Sequence, residues 1–283
     1  MPTAVTPRPI PERTISVRRP GLSYADDRTP RYFVADDILR SHIAAMLSSV
    51  FPEGEDFFVR SVKAYRNQIT DPVLKEQVKG FIGQEALHGR EHRAFNDRLH
   101  ELGYPTRFTD KRVKIGLGIL GKVAPKAHQL AVTAALEHYT ATLAEALLRD
   151  DKARDEFVTD ETRTLFTWHA LEETEHKSVA FDVFQHVSGK RRIRVGTMYA
   201  IHVGFLFAMT MSVTISLLFD RYARRHPLKV LRSLGRLRTH VFFQPAVLRR
   251  LKDYDRADFH PDDHDTVALL DEWREWWDAT AAA

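Results

Sequence analysis

Apolar residues recur three and four positions apart along most of the chain, and runs alternating every second residue are sparse, so the pattern predicts a nearly all-α protein. The first predicted helix covers Asp36 to Ser49, and Phe51-Pro52 reads as a break from which a second helix runs to Asn67. Thr70-Asp71-Pro72 is a restart signal, a capping residue followed by proline in the first turn, and the next helix runs to Leu102 before Gly103-Tyr104-Pro105. A loop and a glycine-rich apolar stretch from Val113 to Val123 follow. The pattern then predicts a helix over Lys126 to Leu148, the charged turn Arg149-Asp150-Asp151-Lys152, and a helix over Glu161 to Val187. Beyond Gly189 comes a basic run, then 25 residues from Val195 to Phe219 without Asp, Glu, Lys or Arg. A basic tail from Arg221 to Arg238 and a short helix over Asp265 to Trp277 close the pattern.

The first thirty residues hold six of the thirteen prolines and no apolar core segment, so they read as a flexible lead and not a signal peptide. The expected organisation is this lead over 1–30, a helical bundle over 31–190, and an apolar helix with a basic helical extension over 191–283.

Two helices carry the same short motif. Glu85 with His88, and Glu173 with His176, stand at i and i+3 and so share a helical face. Two other helices offer a lone acid, Glu55 and Glu137. One Glu from each of two helices and Glu-x-x-His from the other two is the di-metal carboxylate pattern of ferritin-like four-helix bundles.

Register supports the grouping. The midpoint of Glu55 and Glu85 is residue 70, inside one predicted turn, and that of Glu137 and Glu173 is residue 155, inside the other. Residues equidistant from the turn of an antiparallel hairpin lie at the same height, here roughly 20 Å from each turn. Facing supports it too: Glu55 shares a stripe with Phe58 and Val62, Glu85 and His88 with Val78 and Phe81, Glu137 with Leu130 and Ala141, and Glu173 and His176 with Leu165 and Val183. Four carboxylates converging in a core are prohibitive without cations, and two divalent ions resolve the conflict.

His169, four residues before Glu173, is placed either to ligate or to orient a carboxylate, and its spacing favours ligation. His92 reads as a core or outer histidine, and Glu53 as an acid at a helix start. Glu172 and His138, about 100° round the helix from chosen ligands, read as structural or outer groups. His260 and His264 sit in a turn that feeds the Asp265 cap of the last helix.

Composition narrows the chemistry. The chain has no cysteine, which removes disulfides, Fe–S clusters, zinc–thiolate sites and a Cys nucleophile, and it fits a reducing, cytoplasmic setting. Any metal must be held by His and carboxylate, which favours iron, with manganese or zinc as alternatives. The net charge of +4 is mild and no nucleic-acid motif is present. Val195 to Phe219 is long enough to span a bilayer. Both its ends are basic, so a buried helix, a membrane-dipping anchor, a homodimer seam and a cover over an apolar substrate channel all remain open.

Phe51-Pro52-Glu53-Gly54-Glu55, Gly83-Gln84-Glu85-x-x-His88, Trp168-His169-x-x-Glu172-Glu173-x-Glu175-His176-Lys177 and Phe259-His260-Pro261 resemble a bacterial family labelled predicted metal-dependent hydrolases. The resemblance covers about residues 30 to 275, and Trp168 to Lys177 is its most specific part. The spacing of His169, Glu173 and His176 also resembles that of ferritin-like di-iron arylamine N-oxygenases, outside whose ligand helices no match extends. That likeness implies Glu55, Glu85, His88, Glu137, His169, Glu173 and His176 as ligands. The leading functional expectation is O2-dependent oxidation of a small organic substrate by two irons supplied by an electron donor. The alternatives are a hydrolase with a metal-bridged water and a non-enzymatic iron-handling bundle.

Overall fold

In the computed structural model, which describes residues 9–24 and 28–281, the chain is an all-α helical bundle; among the described residues the only β pairing is an isolated bridge between Val34 and Phe157. The elements are α1 (Ile38–Lys63), α2 (Pro72–Glu101), α3 (Thr106–Val123), α4 (Lys126–Leu148), α5 (Asp151–Asp155), α6 (Asp160–His176) and α7 (Val179–Val187). Then come α8 (Arg191–Phe219), α9 (Arg221–Arg225), α10 (Pro227–Leu237), α11 (Pro245–Asp253) and α12 (Val267–Ala281).

Helix starts follow local chemistry. The Asp37, Asp71 and Thr159 side chains accept the backbone N–H of Arg40, Leu74 and Thr162, satisfying a donor that the first helical turn leaves free. Pro72 begins α2, where its missing N–H costs nothing, and Gly103 at φ 91° ends the turn after it.

Side-chain bonds set the topology. Ser48 meets Asn96, Ser61 meets Thr133, and His92 meets His169, so α1 runs antiparallel to α2 and α4, and α2 antiparallel to α6. α2 and α4 therefore point the same way, and the chain must return along the bundle between them. α3, about 27 Å long at 1.5 Å per residue, makes that return. Two apolar clusters fill the bundle, one around Phe33, Phe95, Leu165 and Trp168, the other around Val62, Phe81, Leu130 and Val183.

Four expectations need correction. Pro52 does not break the first helix; α1 continues through it. A helical proline leaves the carbonyl four residues back without its partner, and here Asn96 Nδ2 donates to that Ser48 carbonyl at 3.0 Å, which repairs the defect. The stretch expected as loop and glycine-rich segment is α3, where Thr109, Val113 and Leu117 at four-residue spacing meet the bundle and override the glycines' low propensity. The single helix expected over Glu161 to Val187 is interrupted at Lys177-Ser178, giving α6 and α7.

The fourth correction concerns the lead segment. Residues 1–8 and 25–27 lie outside the described residues, but 9–24 form an ordered strap across the seam of α2 and α6. Gly80 and Gly83 admit it: a Cβ on Gly80 would stand 2.7 Å from the Ile15 carbonyl oxygen, and one on Gly83 2.6 Å from Val17 Cγ2. Gln77 Nε2 donates to the Pro11 carbonyl at 2.7 Å, and Gln84 Nε2 to that of Ser16 at 2.9 Å.

α8 packs on α1 and α4 through one side only. On that side Ser216 bonds His42 at 2.6 Å, His202 meets the Tyr139 hydroxyl, and the buried Arg194 guanidinium donates to the Tyr254 and Arg256 carbonyls. Asp220, which follows α8 and caps α9, accepts from Tyr32 at 2.9 Å and His42 at 3.1 Å.

Candidate metal centre

Between the two apolar clusters lie seven side chains, none more than 4% exposed: Glu55 from α1, Glu85 and His88 from α2, Glu137 from α4, and His169, Glu173 and His176 from α6. Potential ligand atoms of Glu55, His88 and His169 all lie within 4.8 Å of one another. Those of Glu85, Glu137 and His176 do likewise, and so do those of Glu85, His88 and Glu173. The centre thus has two ends, one with His88 and His169 and one with His176, and the Glu85 and Glu173 carboxylates lie between them. His176 Nε2 is 3.1 Å from Glu85, 3.2 Å from Glu137 and 3.6 Å from Glu173.

Buried polar atoms are normally hydrogen-bonded. Here both carboxylate oxygens of Glu55, Glu85 and Glu137, one of Glu173, His88 Nδ1 and His176 Nε2 are buried without a hydrogen-bond partner. All point into the same small volume. A set of carboxylate oxygens and imidazole nitrogens orphaned together is what divalent cations would satisfy.

Surrounding residues fix which nitrogen of each histidine faces inward. Gln84 Nε2 donates to Glu175 at 2.8 Å, so its Oε1 accepts from His176 Nδ1 at 2.7 Å and leaves the Nε2 lone pair for the centre. Glu172 takes the His88 Nε2 proton at 3.0 Å and leaves Nδ1. The third histidine is set by a longer chain. Asn96 Nδ2 is committed to the Ser48 carbonyl, so its Oδ1 accepts the Ser48 hydroxyl at 2.8 Å. Ser48 Oγ then accepts from His92 Nδ1 at 2.8 Å, and His92 Nε2 accepts from His169 Nδ1 at 2.6 Å. His169 Nε2 is left facing Glu173 at 3.0 Å and Glu55 at 3.8 Å. Hydrogen bonds of this kind orient metal-binding imidazoles and raise their basicity.

The strap completes this layer. The Arg18 backbone N–H donates to Glu172 at 2.9 Å, and its guanidinium grips Glu175 in two bonds of 2.9 and 3.0 Å. Arg274 of α12 bonds the same Glu175 at 2.8 and 3.0 Å. Arginines therefore neutralise the outer Glu175, while the inner acids face histidines alone.

Protonation reflects that conflict. Burial, reinforced by Glu85, pushes the Glu55 carboxyl well up, and burial with Glu85 and Glu173 pushes Glu137 up to about 8. Burial works against charge on Glu173 as well, but His176 and His169 outweigh it and hold that carboxyl well below the usual range. Burial likewise opposes charge on His88 and His176. Glu172 and Glu85 beside His88, and Glu173 and Glu137 beside His176, overcome it and raise both imidazoles. Protons on the histidines can offset part of this charge through close pairs such as His176 with Glu85 at 3.1 Å, but both oxygens of Glu55 have no hydrogen-bond partner.

A cavity of about 400 Å³ leads from the centre toward the surface between α3 and α8. Glu55, His169 and Glu173 form its inner end, and its walls are almost wholly apolar, including Val50, Phe58, Leu117 and Phe205. The cavity thus reaches the centre on its Glu55–His169 side.

All seven residues singled out from sequence converge. His92 takes the outer position expected of it, and Glu172 is outer through His88. Glu53 turns instead to Arg93 and Lys114 at 3.3 and 3.4 Å. His138 donates to the Arg250 carbonyl at 2.9 Å, away from the centre. His260 bonds Asp182 at 2.8 Å and His264 bonds Asp253 at 3.0 Å, and no potential metal group among the described residues includes either. Sequence reasoning quoted Gln84 and Glu175 only as parts of motifs, without a role, and missed Ser48, Asn96 and Arg18. Gln84 and Glu175 had a local signal, since each immediately precedes a residue of the centre, Glu85 and His176. Arg18 had none.

The profile of a family described as "Predicted metal-dependent hydrolase" matches residues 16–265, most of the chain and all seven residues of the centre. No curated protein and no solved structure gives a significant match.

Proposed function

The chain belongs to the predicted metal-dependent hydrolase family, and we propose that it is a dinuclear hydrolase of ferritin-like design, with Glu55, Glu85, His88, Glu137, His169, Glu173 and His176 as ligands. One observation carries the reading: the inward-facing oxygens and nitrogens of these residues are buried together without partners. Two divalent ions would polarise a carbonyl or phosphoryl oxygen and make water nucleophilic near neutral pH. The chain's residues supply the rest. Gln84, Glu172 and the Asn96–Ser48–His92 relay hold three imidazoles in one tautomer each, so no reorientation is needed as substrate arrives. The strap and α12 shut water out on the Glu175 side, leaving the apolar cavity as the approach. Donors of three imidazoles and four carboxylates suit iron or manganese, and zinc less fully.

O2-dependent oxidation, the leading expectation from sequence, gains nothing from the family match, which favours the hydrolytic alternative. A second reading as an oxidase rests on one feature, the dry apolar cavity at the Glu55–His169 end, which would protect a strong oxidant from water.

The test is to strip metal from the protein, reload it separately with Zn, Mn and Fe, and assay ester and phosphoester panels without oxygen. Anaerobic turnover that chelation removes supports hydrolysis. No hydrolysis in any form, together with O2 uptake by the iron form and a reductant, overturns it in favour of oxidation.

A further inference from the structure

Charge and apolar surface are segregated in this chain in a way the metal centre does not use. Residues 191–250 contain twelve Arg or Lys and a single acid, Asp220, which is buried against Tyr32 and His42. The same stretch carries uncovered apolar side chains. Val203 and Phe207 of α8 are 73% and 66% exposed, and Leu228, Leu231 and Leu234 line one side of α10. α3 adds Phe108, Ile115 and Ile119, each about half exposed, among Lys111, Arg112, the acid Asp110, and Arg107 and Lys114, which pair with Asp97 and Glu53. α3 and α8 line the outer part of the cavity, and Phe242, just beyond α10, lines it as well.

α8 is long and apolar enough to cross a membrane, but little of it is buried, and its bundle-facing side sets polar ties among Met198, Met209 and Val213. His202, Ser216 and Arg194 are tied to Tyr139, His42 and the α11 end. Crossing a bilayer would break those bonds, so the helix stays on the bundle and presents only its outer side. Exposed apolar residues with a cationic surround are the composition of helices that lie in a membrane interface. A second copy fits poorly, because a twofold contact brings identical patches together and would set basic surface against basic surface without acids to offset it.

We propose that the face built by α3, α8 and α10 docks on an anionic lipid surface, and that the cavity between α3 and α8 takes its substrate, a long-chain amphiphile, directly from that surface. The apolar walls hold the chain, and the reacting group lies at the inner end, beside Glu55 and His169. The substrate assignment rests on the metal-centre reading; the docking face does not.

Sedimentation of the full chain with phosphatidylcholine vesicles, and with phosphatidylcholine–phosphatidylglycerol vesicles, tests the docking. Binding is expected to the anionic vesicles only and to weaken with salt. Val203→Asp with Phe207→Asp, or Arg224→Glu with Arg225→Glu, should each weaken it by about tenfold or more. All four residues are exposed, and circular dichroism checks that the variants fold. Equal binding to neutral vesicles, no binding, or a solution dimer that the Val203→Asp, Phe207→Asp variant dissociates overturns the proposal.

Fluorescence of cis-parinaric acid reports on the cavity. Gly116 and Gly204 face each other's walls with open space around a would-be Cβ. Gly116→Phe with Gly204→Phe should abolish parinaric acid binding while vesicle binding and zinc content persist; undiminished binding overturns the substrate class. A wild-type chain that binds vesicles and parinaric acid but no metal would sink the hydrolase reading alone.

Discussion

Gln84 touches no metal position, yet its amide decides which His176 nitrogen faces the centre. Replacing Gln84 or Glu172 with alanine should weaken metal affinity by about 10- to 100-fold with every ligand intact. Competition against a chromophoric chelator measures this, and unchanged affinity would remove the orienting role. His42 gives a pH dependence of a different origin. Burial, only partly offset by Asp220, lowers its pKa from 6.5 to about 4. The unfolded chain therefore takes up a proton that the folded chain refuses. Stability from His42 is whole above its unfolded pKa and is lost as pH falls from about 6.5 to about 4, on the order of 3 kcal/mol. Asp220, held at about 2 chiefly by its bonds to Ala223 and His42 against the effect of burial, stays ionised through that window. Denaturant midpoints across it should fall more steeply for wild type than for His42→Gln. Residues at this scale were legible where chemistry repeats locally. The two Glu-x-x-His pairs announce themselves, whereas Arg18 finds Glu172 and Glu175 across 154 and 157 residues, with no pattern to link them.

Among the elements, α1 shows why boundaries are harder to read than existence. Proline often kinks or ends a helix, and at Pro52 Asn96 meets the Ser48 carbonyl that it leaves free. That repair comes from another helix, invisible to a local window. Asn96→Ala should cost about 1–3 kcal/mol, because it strands a buried carbonyl and the Ser48 hydroxyl together. Pro52→Ala in the same chain should restore part of the loss by returning an N–H to the Ser48 carbonyl, and a double-mutant cycle measures the coupling. α3 was misread for a related reason: its glycines weaken intrinsic helix preference, while its role as the return path between two parallel helices is a property of the topology. α4 was read without error, since the proline before it, the charged turn after it and its apolar spacing all agree.

At the scale of the whole molecule, the centre trades stability for binding. Without cations, four acids occupy a position that leucine or methionine would fill at lower cost. Glu55→Leu should therefore raise the melting temperature of the chelator-treated protein while reducing its metal content. In the wild-type chain, metal at a hundredfold excess over its dissociation constant should add about 2.7 kcal/mol. Calorimetry with and without chelator tests both, and a chelated variant no more stable than chelated wild type would count against an inward cluster of unsatisfied acids.

The strap has a temporal consequence. Residues 9–24 leave the ribosome early, but their Glu172 and Glu175 partners are synthesised more than 150 residues later. During that interval Arg18 has no carboxylate to grip, and when α6 arrives the strap is already present to meet it. The second clamp on Glu175, from Arg274 of α12, forms about a hundred residues later still, so the cover over this flank is completed only once α12 has been made.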